Sequence, residues 1–451
     1  MKTQCNTNAI EFKGLKHRNI VADFKGGRIT SDAGLLLVRE VDRHLGLIDA
    51  LDECIADPRD PSAIHHSQRD LIAQRIFAIA GGYEDLNDHD ALRHDAALQT
   101  AVGREADSAH GALGSAPTLC RLENRVDRES MAKMAGVFVE TFIASHDQPP
   151  QEILLDFDAT DDVLHGQQEG RFFHGYYDNY CYLPLYVFCG EQLLVAYLRP
   201  SNIDGSRHSR PILKLLVERI RQDWPNTRIV IRGDSGFCRH KLMRWCERHD
   251  VGYIFGIARN AVLQRHAAPW TARAQHLFEQ TGEKQRLFGE TVYGAQTWNH
   301  PRRVILKAER LLEGPNLRFI VTNLPGDPQA LYDGVYCQRG EMENRIKEQQ
   351  LCLFADRTSC RTMLANQFRL LLASAAYVLV ESLRRLGLAG TPLANARADT
   401  IRLKLFKIGA RVVASVRRIV FHLAGGYPLQ DLFSQIVRRL QGLASTHLPS
   451  G

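Results

Sequence analysis

The chain has 451 residues, enough for two or three domains and a large core, with 44% hydrophobic and 24% charged residues, as in ordinary globular proteins. Ten cysteines without a CxxC pair exclude a zinc ribbon and a disulfide framework and fit a reducing cytosol, while the absence of an N-terminal apolar core and of any apolar run longer than Leu370 to Val380 points to a soluble, cytoplasmic protein with no membrane partner. The net charge of +6 is lopsided: residues 357–451 hold 14 Lys and Arg against Glu381, Asp399 and Asp431, leaving the remainder near −5, which fits either a polyanion brought to an acidic site or a soluble arginine-rich tail.

Residues 1–148 read as mostly helical. Ser31-Asp32 resembles a helix start ahead of the amphipathic Leu35 to Leu45 stretch. His65 to Asp70 leads into Leu71, Ile72, Ile76, Phe77 and Ile79, stopped by Gly81-Gly82, a pair of elements compatible with a DNA-reading helix-turn-helix or, more commonly, with plain helical packing. Gly82 to Asp90 is dense in Asp, Asn and His, which capped turns use heavily and metal sites less often.

From residue 150 the period changes to that of strands. In Ile153-Leu154-Leu155-Asp156-Phe157-Asp158-Ala159-Thr160 the residues Ile153, Leu155 and Phe157 share one face, and Asp156, Asp158 and Thr160 the other. A polar hairpin (161–178) precedes strands at 182–188 and 193–198, then a helix at 209–223. A strand at 228–233 ends on Gly233-Asp234, with Ser235 beside it in a turn or cap role. A helix at 241–249 and a strand at 253–258 follow. Three strands, then helix, strand, helix, strand, is the order of an α/β ribonuclease H-like core. Residues 259–325 interrupt it as a β-rich insertion, with strands expected at 290–298, 303–308 and 318–322. The core resumes over 326–385, and a basic helical region occupies 386–451.

The helix expected over Tyr336 to Gln350 closes the core. At roughly 100° per residue, Tyr336, Arg339, Glu343, Lys347 and Gln350 form one stripe, whereas Glu341 and Glu348 point elsewhere. Two acids at strand ends and a third on a helix suit hard divalent cations. Paired Mg²⁺ or Mn²⁺ ions support in-line phosphoryl displacement without a protein nucleophile.

These residues resemble the group-1 DDE transposases of bacterial insertion sequences. The resemblance rests on Asp158-Ala159-Thr160, on Arg232 to Phe237, and on Tyr336, Arg339 and Glu343 in a Y-x2-R-x3-E pattern. His165 to Glu169, Tyr182 to Leu185 and Gly82 to Asp88 are similar as well, so it spans about residues 15–430. It implies that Asp158, Asp234 and Glu343 bind two Mg²⁺ or Mn²⁺ ions and that Tyr336 and Arg339 hold phosphates. Relatives carry a lysine seven residues after the glutamate; here that position is Gln350, and Lys347 on the same stripe is the substitute. Asp156 is a second, less favoured, candidate for the Asp158 role. Trp298 and Trp270 are candidates for stacking on an unpaired base, or simply pack within the insertion. The implied function is cleavage of the element's own terminal inverted repeats and transfer of the 3′ hydroxyls to target double-stranded DNA, as a homodimer at the nucleoid. The alternatives are a structure-specific nuclease on the same core and a non-catalytic DNA-binding derivative.

Overall fold

An eight-stranded mixed sheet dominates the computed structural model, which describes residues 9–106 and 111–443. Its strands are β1 (Glu152–Ala159), β2 (Leu185–Cys189), β3 (Gln192–Tyr197), β4 (Arg228–Gly233), β5 (Val251–Ile257), β6 (Gln285–Tyr293), β7 (Arg302–Leu311) and β8 (Gly314–Thr322). The order is β6-β7-β8-β5-β4-β1-β2-β3. β4 runs parallel to both β1 and β5, and every other pairing is antiparallel. The fold is therefore mixed α/β.

The alternation in β1 sorts its side chains as the pattern requires. Ile153, Leu155 and Phe157 join Ile229, Ile231, Tyr253 and Phe255 in one large core, which includes Leu213, Leu216 and Ile220 of helix α1 (Ser209–Asp223) and Leu242 and Met243 of α2 (His240–Arg248). On the opposite face Leu154, Val230, Ile254, Ile305 and Ile320 pack against Leu331, Tyr332 and Tyr336. Asp156 and Asp158, being even-numbered like Leu154, emerge on this second face, the side on which the chain's closing helix lies.

The 259–325 stretch departs from expectation. It begins with a 21-residue helix, α3 (Ala261–Thr281), capped by Asn260, whose side chain accepts from the Val262 and Leu263 amides. Its three strands do not form a body of their own, because β8 pairs with β5 and extends the main sheet.

The closing helix is also irregular. It runs as a wide π-type turn over Leu331–Tyr336, a tight 3₁₀ turn over Cys337–Arg339, and α4 proper over Gly340–Leu353. Helix α5 (Met363–Ser382) follows and continues as a wide turn over Leu383–Gly387. The 25-residue stretch Met363–Gly387 is long and apolar enough to cross a membrane, yet 89% of its apolar window is buried, the mark of a core helix.

Among the described residues two compact units divide the chain: one comprises Leu45–Pro58 and Arg121–Glu381, the other residues 9–44, 59–120 and 382–443. The N-terminal part is mostly helical as expected, with a hairpin of Ile10–Leu15 and Arg18–Ala22 ahead of the helices. The helical reading of 386–451 is corrected, since Ala410–Ser415 pairs with Arg418–Leu423 and with Arg28–Thr30. The β-branched runs around Val412-Val413 and Ile419-Val420 outweigh the arginines, which are the exposed positions of strands. Asp32, Tyr83 and Lys407 tie three segments of this unit together, with the Tyr83 hydroxyl donating to Asp32 at 2.7 Å and Lys407 Nζ 2.5 Å from it. Gln68–Gly81 is a core helix with 12 of its 14 residues buried, so it presents no recognition face to DNA. The Gly82–Asp90 side chains are absorbed locally: Asp88 caps the Asp85 amide, and His89 is buried against Gln74 and Arg75. The nine described cysteines are free, and Cys5 lies outside the described residues.

Candidate active site

Asp158 stands at the end of β1, Asp234 just past the end of the neighbouring parallel strand β4, and Glu343 on the first turn of α4. All three line one open pocket of about 480 Å³, together with Arg339, Lys347 and Gln350. The sequence-predicted carboxylates are thus brought together, each by a different element. Their fixings differ as well. Asp158 Oδ1 accepts from the Ala159 amide at 3.0 Å, and Asp234 caps the Ser235–Phe237 turn through the Gly236 amide at 2.8 Å.

Arg339 joins two of the three. Its guanidinium lies 2.6 Å from Glu343 Oε1 and 3.3 Å from Asp158 Oδ2. Burial pushes the Asp158 carboxyl up to about 7; Arg339 opposes this, while the charges of Asp234 and Glu343 add to it. For Arg339, burial alone would favour the neutral form, but Asp158, Glu343 and Asp234 outweigh it and hold its pKa above the usual value. A concentration of negative charge in a half-buried pocket is what a cation would relieve.

Asp156 does not enter the pocket. Its carboxylate is clasped side-on by Arg232, directly across the β1–β4 register, with Nη2 to Oδ2 at 2.6 Å and both residues nearly fully buried. Arg232 also donates to the Val335 carbonyl, pinning the start of the closing helix to the sheet.

Tyr336 leaves the stripe that the sequence predicted. A 3₁₀ turn advances roughly 120° per residue, so Cys337–Arg339 shifts the phase by about 60° between Tyr336 and Glu343. Tyr336 instead packs beside Tyr332, with ring centroids 5.7 Å apart, beneath the Asp234 turn. A side chain on Gly256 would come within 2.6 Å of its hydroxyl and 3.0 Å of the Ser235 amide. Gly256 is therefore what lets the tyrosine and the Asp234 turn share the sheet surface. A glycine inside a strand signals such an approach, and in Tyr253-Ile254-Phe255-Gly256-Ile257 that signal was available.

Lys347 is exposed at the pocket, whereas Gln350, which also lines it, is held in place by donating to Asp162 Oδ1 at 2.8 Å and to the Asp161 carbonyl at 3.1 Å. Trp298 and Trp270 are engaged inside the 259–325 segment. Trp298 packs edge-on against Tyr293 with Arg302 over its ring, and Trp270 closes on Gly289. The pocket also has a wall that sequence reasoning passed over as a polar hairpin: His174, Tyr176 and Tyr177.

With this geometry in place, comparison with known proteins gives a family. The model described as transposase DDE domain group 1 matches residues 12–445. The chain belongs to this transposase family. Among solved structures, a piggyBac transposase synaptic complex with hairpin DNA is similar at 10% identity and a TM-score of 0.43, covering 92% of this chain and 83% of that one. A search of curated proteins found no match. Members of the family normally use divalent metal ions. Among the described residues no three His, Cys, Asp or Glu side chains form a ready metal cage. The donor chemistry nevertheless fits: three carboxylates face one solvent-open pocket, and all offer hard oxygen ligands. Arg339, placed against Asp158 and Glu343, is the cation that neutralises them in this arrangement.

Proposed function

We propose that this transposase acts on the terminal inverted repeats of its own bacterial insertion sequence, cleaving the ends and joining the freed 3′ hydroxyls to target DNA. The observation that carries the reading is the convergence of Asp158, Asp234 and Glu343 on one pocket from two parallel strand ends and a helix. The strand order β3-β2-β1-β4-β5, with β1, β4 and β5 parallel, supports a ribonuclease H-like core for the same reason.

In this reading the three carboxylates hold two Mg²⁺ or Mn²⁺ ions. When bound, such ions would activate the attacking water or hydroxyl and stabilise the leaving 3′ oxygen. Arg339, released from the carboxylates, offers a planar fork to a DNA phosphate. Lys347, exposed on the same helix, supplies a second phosphate contact in the place of the lysine that relatives carry at the Gln350 position. Tyr336 acts from below by supporting the Asp234 turn. The enzyme works as a homodimer on double-stranded DNA in the cytoplasm, at the nucleoid.

The test is end cleavage and strand transfer by purified protein on DNA carrying the inverted repeats that flank its gene. Cleaved ends joined to target are expected with Mg²⁺ or Mn²⁺, and loss of both steps in Asp158→Ala, Asp234→Ala and Glu343→Ala. Variants that cut as the wild type does would overturn the assignment, and cutting without joining of pre-nicked ends would make the protein a nuclease.

A further inference from the structure

The small sheet beside the pocket (Asp162–Val163, Phe172–His174 and Asn179–Tyr182, with the last in the centre) has an unusual surface. Its exposed large apolar side chains are all aromatic: Phe172, Phe173, Tyr176 and Tyr180. Soluble proteins rarely leave such a group uncovered without a use. The exposed hairpin at the other end of the chain, by contrast, shows mainly aliphatic residues such as Ile10, Leu15, Ile20 and Val21.

Tyr176 is the extreme case. At the hairpin tip it is 85% exposed, yet it lines the same pocket as Asp158, Asp234 and Glu343. Its only ring contact among the described residues is edge-on to Tyr177, with centroids 5.0 Å apart and planes at 86°. Tyr177 is anchored: its hydroxyl donates to the Ala159 carbonyl at 3.3 Å, the residue next to Asp158, and its ring lies 4.9 Å from His174. The tip is thus fixed to the strand that carries the first carboxylate, while the Tyr176 ring stays free for a partner. On its strand-borne flank, Phe173 meets Tyr180 edge-on and Arg171 covers the Tyr180 ring at 3.9 Å.

We infer that Tyr176 is a stacking platform for an unpaired nucleobase next to the scissile phosphate, with the Phe173, Tyr180 and Arg171 surface continuing the path of the single strand. The occupant is argued from position and charge. Flat rings at the lip of an acidic pocket suit bases rather than aliphatic side chains, and exposed Lys347 on the pocket's helix complements the adjoining phosphate. The inference rests on the DNA-cleavage reading of the pocket, and it gives the base-stacking role to Tyr176 instead of Trp298, which is occupied by Tyr293 and Arg302.

The experiment uses full-length protein in EDTA, so that no cleavage intervenes, and duplex DNA with a single-stranded overhang bearing 2-aminopurine at its first unpaired position. The wild type is expected to prefer the overhang to a blunt duplex and to quench the probe. Tyr176→Ala should weaken overhang binding roughly five- to a hundredfold and restore fluorescence, while leaving blunt-duplex binding unchanged. Tyr176→Phe, which keeps the ring, should match the wild type, as should Phe24→Ala, an exposed aromatic outside this surface. Quenching by Tyr176→Ala equal to the wild type overturns the inference, as does wild-type protein that binds blunt and overhang duplexes alike. In that last case Mg²⁺-dependent cleavage by the same preparation shows that the transposase reading still stands. Overhang binding lost in Tyr176→Ala by a wild type that never cuts DNA leaves the platform standing and removes the reading beneath it.

Discussion

Asp156 and Arg232 form a buried ion pair across the β1–β4 register, two residues from a carboxylate of the same strand that lines the active pocket. The two acids therefore carry opposite expectations. Removing one partner of a buried pair strands the other charge, at a cost of about 3–5 kcal/mol. Asp156→Ala is predicted to lower the melting temperature sharply, and Arg232→Ala to do so as well, since it also frees the Val335 carbonyl. Asp158→Asn should leave stability unchanged or raise it, because burial disfavours the Asp158 charge, while abolishing cleavage. Thermal unfolding of the three variants beside an end-cleavage assay reads the contrast. A stable Asp156→Ala protein with lost activity would reverse the roles.

Lys347 and Gln350 separate in the same manner. Lys347 is exposed beside the pocket, and Lys347→Ala should weaken DNA binding and reduce the slope of log affinity against log salt by about one, the signature of one lost phosphate contact. Gln350→Ala instead removes two hydrogen bonds to the Asp161–Asp162 backbone and side chain, leaving buried acceptors unsatisfied. It should cost about 1–3 kcal/mol of stability and leave the salt slope unchanged. Salt titrations of DNA binding, paired with denaturant unfolding, distinguish the two. Loss of the salt slope on Gln350→Ala alone would transfer the phosphate role to that position.

Much of the pocket was legible because it depends on local periodicity. The alternation in Ile153 to Thr160 places Asp156 and Asp158 on one face without knowledge of the rest of the chain. What periodicity cannot do is choose between them, since the choice depends on Arg232 arriving opposite Asp156 from a strand 76 residues later. Tyr336 departs from the expected stripe for a different reason: a uniform 100° step fails where the helix tightens to 3₁₀. In α3, Pro269 interrupts the helical pattern and hides the helix, although Asn260 is a good N-cap. At the C-terminus, arginine count obscured the two β-branched runs flanking Val416-Arg417, whose spacing is that of a hairpin.

Gly256 gives a test of the Tyr336 assignment. A methyl group there meets the Tyr336 hydroxyl at 2.6 Å and the Ser235 amide at 3.0 Å, so either the tyrosine or the Asp234 turn must move. Overpacking of this kind typically costs about 1–3 kcal/mol. Gly256→Ala is predicted to reduce cleavage by more than its stability loss explains, because the displaced turn carries Asp234. The double variant Gly256→Ala, Tyr336→Phe removes the hydroxyl that clashes and should recover part of the activity. Equal activity in the single and double variants would mean that Tyr336 does not press on the turn.

Asp162 supplies a pH dependence independent of the three pocket carboxylates. It is fully buried, and burial pushes its carboxyl up to about 8, with Asp356 and Asp161 adding to the rise and the Gln350 hydrogen bond opposing it. One of its oxygens, Oδ2, has no hydrogen-bond partner among the described residues, as suits a carboxyl that is protonated in the fold. The unfolded chain releases this proton near pH 4 and the folded chain only near 8. Between those values the folded state binds the extra proton, so stability falls as pH rises, with a slope of up to about 1.4 kcal/mol per unit. The penalty is absent below pH 4 and complete above 8. Asp162→Asn keeps the acceptor for Gln350 and removes the ionisation, so its stability should exceed that of the wild type at pH 8 and converge with it towards pH 4. Chemical denaturation of both proteins from pH 5 to 9 measures the difference, and parallel curves across that range would refute the buried neutral carboxyl.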